Sequence, residues 1–221
     1  MDLILFDLDN TLLAGDSDYE WAQYLIEKGV RGRAEHEVKN LQFYQQYKSG
    51  TLDIHEFLDY QLKPLASYPQ SVLKQWRDDY VATRIEPIMT AKARELVNSA
   101  LRQTDYVLII TATNRFVTET IATAFGVKYL IGTEPEEING EFTGKVAGTP
   151  SFREGKITRL EEWFDARDLD WNSFAMTRFY SDSLNDLPLL NKVDQPIAVD
   201  PDDILLSHAL AKRWPVISLR D

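Results

Sequence analysis

The chain has 221 residues, of which 44% are apolar, and this predicts one compact domain or one domain with a smaller insert. Its formal net charge is −11, so its overall field repels nucleic acid and anionic membrane surfaces, and we expect neither as a partner. It contains no cysteine, which excludes disulfides, thiolate metal sites and a cysteine nucleophile.

The N-terminal segment is an apolar run that ends at Asp7. No basic segment precedes the run, which argues against a signal peptide. No apolar run in the sequence approaches the length of a membrane-spanning helix. We therefore expect a soluble, cytoplasmic protein, and the sequence leaves monomer and homodimer both open.

Apolar runs and helical patterns alternate along most of the chain. Residues 3–6 and 106–110 are continuous apolar runs, typical of strands buried on both faces of a parallel sheet, and weaker runs cover 174–180 and 196–199. Thr90 is a candidate N-cap for one intervening helix, and another helical pattern starts at Arg115 and ends at Gly126. This alternation predicts an α/β fold with a Rossmann-like open parallel sheet.

Residues 16–84 interrupt the alternation, because they carry helical periodicity without a convincing strand. We predict a helical cap domain there, inserted into a core domain formed by 1–15 and 85–221. Aromatic residues concentrate in the insert, which suits a small bundle core or an aromatic-lined lid, and the bundle core is favoured for most of them. The residues that define its four predicted helices are Trp21 for the first, the stripe Val38, Leu41, Tyr44 and Tyr47 for the second, and the starts Asp53 and Ser71 for the others.

A β-hairpin is predicted between residues 134 and 150. This segment is rich in Gly, Pro, Glu and Thr, and it contains Asn139-Gly140, a dipeptide typical of tight hairpin turns.

The sharpest chemical signal is Asp7-Leu8-Asp9, which directly follows the first predicted strand. In open parallel sheets, ligands bind beyond the carboxyl ends of the strands. Alternation along an extended backbone puts the carboxylates of Asp7 and Asp9 on one side, where two like charges need a cation. A lone Asp-x-Asp also occurs as a pair of solvated turn residues and as the metal motif of sugar-nucleotide transferases, so the interpretation depends on corroboration.

Three later segments corroborate it. Asp182 and Asp186 follow the third predicted strand, and hard oxygen ligands of this kind suit Mg²⁺. Thr111 ends the second strand just before a helix, where a hydroxyl and backbone N–H groups can hold phosphate oxygens, although Thr is also an ordinary N-cap. Lys156 opens a later helix and would supply the cation that the acidic strand ends require.

These four segments, in this order, resemble the haloacid dehalogenase-like hydrolase superfamily over residues 3–190. The helical insert resembles the α-helical, C1-type cap of the phosphoserine-phosphatase-like branch, subfamily IB. Residues 15–18 resemble the histidinol-phosphatase-like subset of that branch. The positions that match the superfamily motifs are Asp7, Asp9 and Thr11, then Thr111, Lys156, Asp182 and Asp186.

The resemblance implies a phosphatase of small phosphorylated metabolites. In it, Asp7 is the nucleophile and forms an aspartyl-phosphate, while Asp9 protonates the leaving alcohol and then activates water. An acid at position 9 favours phosphate-ester hydrolysis over dehalogenation. Lys156 would neutralise the transferring phosphoryl group.

The resemblance also implies a ligand set for Mg²⁺ and phosphate. Mg²⁺ would be held by the Asp7 side chain, the Asp9 main-chain carbonyl and Asp182. Asp186 would bind it through water or orient Lys156. The residues implied for phosphate are Leu8 with the backbone N–H groups of the first motif, Thr111, Ala112 and Asn185.

The choice of substrate is expected to depend on the cap. Phosphoserine phosphatases grip the substrate carboxylate with a cap Arg, and residues 53–63 contain none. Acids and aromatics of the cap favour a cationic amine, as in histidinol phosphate. Asp16 is the first candidate to read that amine, and a helix-capping role is an equal alternative. The other side chains expected in this lining are Asp18, Glu20, Trp21 and Tyr60.

Two alternatives to a phosphatase fit the sequence less well. A catalytically idle phosphate-binding domain of the same fold predicts the loss of at least one motif residue, and none is lost. A response-regulator receiver domain is much shorter and has no helical insert. His36 and His55 are expected to be surface residues of cap helices.

Overall fold

A computed structural model describes residues 1–220 of the chain. Its centre is a seven-stranded sheet with the order β4-β3-β2-β1-β5-β6-β7, in which only the β3–β4 pair is antiparallel. This confirms the predicted α/β class and the open, mostly parallel sheet. The strands are β1 (Asp2–Phe6), β2 (Tyr106–Asn114), β3 (Tyr129–Ile138), β4 (Glu141–Ala147), β5 (Met176–Ser181), β6 (Gln195–Val199) and β7 (Val216–Ile217).

Helices cover both faces of the sheet and fill the segment after β1. Among the helices of residues 1–220, none combines the length and the apolar character that a membrane-spanning segment needs. The helices are α1 (Ser17–Glu27), α2 (Arg33–Ser49), α3 (Ile54–Leu62), α4 (Gln70–Tyr80), α5 (Ala91–Leu101), α6 (Arg115–Ala124), α7 (Glu154–Asp165), α8 (Leu187–Leu190) and α9 (Asp203–Lys212).

Alternate residues of β1 face opposite layers of the molecule. Ile4 and Phe6 join an apolar cluster with α5 and α6, whereas Leu3 and Leu5 join one with α7, α8 and α9. All four side chains are buried, which explains why the strand is an unbroken apolar run. β1 pairs with β2 on one side and with β5 on the other, so residue 7 lies at the middle of the carboxyl edge of the sheet.

Local signals in the core behave as predicted. Thr90 caps α5 by accepting a hydrogen bond from the N–H of Ala93. Gly126 has a φ of 74°, a left-handed conformation that ends the helical pattern starting at Arg115. The hairpin of β3 and β4 turns at Asn139 and Gly140, both with positive φ.

Residues 16–84 carry α1 to α4, and no named β-strand of the described chain falls among them. Their aromatic residues serve two purposes. Trp21 stacks on Tyr24, and both rings meet Tyr80 edge to face. Trp21 also reaches Phe116 of α6 at a ring distance of 6.2 Å. The insert therefore shares one apolar cluster with the sheet. A second group of its aromatic residues faces a cavity.

The second predicted helix is present as α2, but the residues that marked it do not form its buried face. Val38, Leu41 and Tyr44 are exposed, whereas Phe43 is buried. Phe43 packs against Phe57 of α3 at a ring distance of 5.3 Å. The prediction does not hold because α2 packs an aromatic and polar face against α3, and its most aliphatic face is exposed to solvent.

The prediction that His36 lies on the surface is also wrong, whereas His55 is exposed as predicted. His36 is buried, and its Nδ1 lies 3.3 Å from the guanidinium of Arg31 and 3.2 Å from the hydroxyl of Tyr60. Burial and the charge of Arg31 lower the pKa of His36, which favours its neutral form.

Candidate active site

The side chains predicted from four separate segments converge at the carboxyl edge of the sheet. Asp7 directly follows β1 and precedes a helix-like turn over 8–12, in which Asn10 has a φ of 56°. Lys156 projects from the first turn of α7 and is 2% exposed. Its Nζ lies 2.8 Å from Oδ1 of Asp7 and 2.7 Å from the carboxylate of Asp186.

The two carboxylates determine the charge of Lys156. Burial alone would lower the pKa of Lys156, but Asp186 and Asp7 outweigh it and hold that pKa above its usual range. Ser181 of β5 donates a further hydrogen bond of 2.7 Å to Asp186. Of the two roles expected for Asp186, the contact geometry fits the orientation of Lys156.

Thr11 joins the first acidic motif to the last. Its hydroxyl lies 3.1 Å from a carboxylate oxygen of Asp7 and 3.1 Å from one of Asp182, and it accepts the Asp182 N–H at 3.0 Å. The carboxylates of Asp7 and Asp182 therefore face the same small volume. Thr11 belongs to the sequence motif, but its bridging position could not be read from the sequence.

Asp9 is held apart from this cluster by other partners. One carboxylate oxygen accepts the N–H of Ser17 at 2.6 Å, and the other accepts the hydroxyl of Thr113 at 2.7 Å. The Thr111 hydroxyl lies further from Asp9, at 3.5 Å. Sequence reasoning missed Thr113, although its alternation with Thr111 on β2 places both on one face of the strand.

The acidic cluster has more negative charge than Lys156 can balance. Burial raises the pKa of Asp7 to about 7, against the opposing charge of Lys156, and raises the pKa of Asp9 to about 6. Burial and the charge of Asp7 raise the pKa of Asp182 well above its ordinary value. A bound cation would relieve this repulsion and restore all three carboxylates to their ionised form.

The donor set fits Mg²⁺. No group of three or more His, Asp or Glu side chains within residues 1–220 is arranged to hold a metal ion. The predicted set does not need one, because it uses the carboxylates of Asp7 and Asp182 and the carbonyl of Asp9. Mg²⁺ binds through one or two carboxylates together with waters and substrate phosphate.

The residues expected to bind phosphate surround the Asp7–Lys156 pair. Asn185 is buried beside Ser183, with its backbone N–H 3.2 Å from the Ser183 hydroxyl. Thr111, Ala112, Asn185 and Lys156 line one cavity with Asp7. The side chain of Leu8 is fully buried, so only its backbone is available to a ligand.

The insert closes the other side of this cavity. Asp16 caps α1 by accepting the N–H groups of Asp18 and Tyr19 at 2.9 Å, which confirms its helix-capping role. The surface that Asp16 leaves exposed faces the cavity, and enclosure there raises the pKa values of Asp16 and Asp18 to about 6. Asp18 also accepts a hydrogen bond from Gln61 of α3.

The chemistry of the cavity wall is acidic and aromatic. Within the described chain, Lys156 is the one cationic side chain that lines it. Lys63 is exposed and does not reach it. Glu20, Trp21 and Tyr60 were expected in the lining, but they contact other residues of the insert instead. The aromatic residues that line it are Tyr19, Phe43, Tyr44, Tyr47, Phe57 and Phe152.

Comparison with known proteins identifies the family of this chain. The model of the haloacid dehalogenase-like hydrolases matches residues 4–191. A histidinol-phosphatase of Neisseria meningitidis serogroup C (strain 8013) is 44% identical over 219 residues, which cover 99% of each chain. A crystal structure of a protein from Bordetella pertussis Tohama I is 42% identical, with a TM-score of 0.93 and 99% coverage of both chains.

The fold extends to more distant structures. A phospho-aspartyl intermediate analogue of a phosphoserine phosphatase superposes with a TM-score of 0.66 at 20% identity, over 99% of this chain and 93% of that one. The family match covers all four motifs, and the structure brings them to one site. This chain therefore belongs to the haloacid dehalogenase-like hydrolases and is a phosphatase of that family.

Proposed function

We propose that the protein is a Mg²⁺-dependent phosphomonoesterase that hydrolyses histidinol phosphate through an aspartyl-phosphate on Asp7. The observation that carries the proposal is the 2.8 Å contact between Lys156 and Asp7 on the floor of a cavity with an acidic and aromatic opposite wall. In this proposal, residues 16–84 act as a cap domain over a core of 1–15 and 85–221.

The two aspartates of the first motif divide the chemistry. Asp7 attacks phosphorus, and the bond between phosphorus and the ester oxygen breaks. Asp9 gives its proton to the departing alkoxide, then takes a proton from the water that cleaves the acyl phosphate. The contacts of Asp9 with Ser17 and Thr113 orient its carboxylate for both transfers.

Positive charge around the phosphoryl group is supplied from two sides. Lys156 lies against Asp7, so it can contact a phosphoryl oxygen without moving far. Thr111, Asn185 and the backbone N–H groups of Leu8 and Asp9 bind the other oxygens. Mg²⁺ held by Asp7, Asp182 and the Asp9 carbonyl would polarise the phosphoryl group and screen the carboxylates.

The cavity wall supports a cationic aromatic substrate. A substrate carboxylate would find no cation there except Lys156, which the phosphoryl group already needs. Asp16 and Asp18 can accept hydrogen bonds from an amine or an imidazole N–H, and aromatic side chains can pack on the imidazole ring. The 44% identical relative named histidinol-phosphatase supports the same substrate.

Removal of the metal should stop the reaction. We expect EDTA to lower kcat by about 10²-fold or more, because neither Lys156 nor the backbone can replace a divalent charge. Added Mg²⁺ should restore activity, and Ca²⁺ should restore little of it, since its bonds are longer. Mg²⁺ should also raise the Tm of the substrate-free protein by binding the native state. Full activity in EDTA would contradict the proposed metal dependence.

Histidinol phosphate should be preferred over phosphoserine. We expect a kcat/KM ratio of about tenfold or more at equal pH and Mg²⁺, which corresponds to one charge-assisted hydrogen bond. Asp18→Asn should reduce that ratio, because an amide attracts a cation less strongly than a carboxylate. Asp59→Asn, on the exposed side of α3, is the matched control and should leave the ratio unchanged. A clear preference for phosphoserine would overturn the assigned substrate but not the phosphatase chemistry.

A further inference from the structure

Arg153 has a backbone conformation that an arginine rarely adopts. Its φ is 52° and its ψ is −123°, a region where a side chain is strained and glycine is not. It is the N-cap residue of α7, and its carbonyl accepts the N–H of Lys156 at 3.0 Å. The strained turn thus sets the start of the helix that carries Lys156, and glycine would satisfy that requirement better.

The side chain of Arg153 makes two contacts that glycine could not. Its Nε donates to Oδ1 of Asn185 at 2.9 Å, and its Nη2 donates to the carbonyl of Gly50 at 2.6 Å. Gly50 is the residue that ends α2 in the cap, and Asn185 is one of the core residues proposed to bind the phosphoryl group. The guanidinium therefore joins the two sides of the site.

The contact with Asn185 has a chemical consequence. Because the amide oxygen of Asn185 accepts from Arg153, its amide nitrogen points the other way and lies 3.4 Å from the Ser183 hydroxyl. That hydroxyl is in turn 2.7 Å from the hydroxyl of Tyr47 on α2. An Asn185 amide rotated by half a turn would present an oxygen to a phosphate oxygen, which repels it.

We propose that Arg153 is a positioning residue that fixes the Asn185 amide with its N–H groups toward the phosphoryl group, with its guanidinium anchored by the end of α2. The strain at residue 153 persists because these contacts require an arginine. This inference rests on the proposed function in that Asn185 binds the phosphoryl group.

The test separates the side chain of Arg153 from its backbone. Arg153→Gly should keep or raise the Tm, because glycine relieves the strain. It should lower kcat/KM for p-nitrophenyl phosphate by about tenfold and weaken calorimetric binding of inorganic phosphate to a similar degree. Arg213→Gly is the matched control, since Arg213 is exposed at the end of α9 with a φ of 58°. That variant should also keep or raise the Tm, with phosphate binding unchanged.

A double-mutant cycle tests whether Arg153 acts through Asn185. In an Asn185→Ala background, Arg153→Gly should change phosphate binding by less than about twofold, because the group that it positions is gone. If Arg153→Gly does not fold, Arg153→Lys serves instead, since one ammonium cannot span both acceptors, and the same losses are expected.

Unchanged phosphate binding in the Arg153 variant, or a loss that adds fully to that of Asn185→Ala, would overturn the inference. Phosphate binding requires no turnover, so it tests Arg153 separately from the proposed phosphatase reaction. Absence of ester hydrolysis by the wild-type protein would count against the proposed function alone.

Discussion

Asp7→Asn should lower kcat by about 10⁴-fold or more, because an amide cannot attack phosphorus although it fills nearly the same space. The fold should persist, since the Asn amide oxygen can still accept from Lys156 and the amide N–H can donate to the Thr11 hydroxyl. The measurement is hydrolysis of histidinol phosphate and of p-nitrophenyl phosphate, with circular dichroism as the check on folding. Turnover near the wild-type rate would exclude Asp7 as the nucleophile.

The same variant should change the pH dependence of stability. The pKa of Asp7 is raised to about 7 in the native state, so the native protein binds this proton more tightly than the unfolded chain does. The native protein is therefore stabilised by the proton on Asp7 at low pH, and this stabilisation is lost as pH rises from 3.8 to about 7. Without metal, Asp7→Asn should have a higher Tm than the wild type above pH 7, and the difference should shrink as pH falls toward the ordinary carboxyl pKa of 3.8. A lower Tm for the variant above pH 7 would contradict this electrostatic account.

Lys156→Met should destabilise the fold more than any other substitution named above, and it should also lower activity. It leaves the buried carboxylates of Asp7 and Asp186 without their shared cation, and removal of one partner from a buried pair costs about 3–5 kcal/mol. Activity should fall by about 10³-fold, the effect of removing a preorganised charge at the transferring group. Denaturant unfolding and steady-state kinetics measure the two effects.

Two comparisons make the Lys156 result specific. Lys74→Met, on the exposed face of α4, is the control for the chemical change and should alter neither quantity. The stability loss in Lys156→Met should shrink at acid pH, where Asp7, whose pKa burial raises to about 7, becomes neutral. A loss of the same size at pH 4 and pH 8 would mean that packing, and not charge, explains the role of Lys156.

The sequence predicted those features that depend on local patterns or on a full motif. The apolar runs of β1 and β2 are buried on both faces, so their composition alone identifies them. Asn139-Gly140 placed the hairpin because few residues tolerate the positive φ of its turn. The parallel part of β3 was missed because its apolar run, starting at Tyr129, is cut short by Gly132.

Features that depend on tertiary contacts could not be predicted. The exposed stripe of α2 has helical spacing, but α3 selects a different face, on which Phe43 and His36 are buried. The contact of Thr113 with Asp9 joins residues that are 104 positions apart in the chain. Arg153 carries no sequence signal, because its importance follows from a backbone conformation and from partners on two other elements.

One residue of the acidic cavity wall, Asp16, is suited both to cap a helix and to bind a substrate amine. The sequence allows Asp16 to cap a helix or to bind the substrate amine, and the structure allows both, because one carboxylate oxygen caps α1 while the residue lines the cavity. Enclosure by the cavity walls raises the pKa values of Asp16 and Asp18 to about 6, and the charge of Asp18 adds to the effect on Asp16, so a bound cation would stabilise their charged forms. Under the proposed function, substrate selection and folding of the insert would therefore depend on the same side chain.

The most direct test of the central claim is to capture the phosphoenzyme. Enzyme turning over histidinol phosphate with Mg²⁺ is quenched in acid, digested and mapped by mass spectrometry, and Asp9→Asn is included because its intermediate should break down slowly. We expect one phosphoryl group on the peptide that contains Asp7, removable by hydroxylamine and absent from Asp7→Asn. A phosphoryl group on any other residue, or turnover by both enzymes with none ever found on Asp7, would contradict this claim.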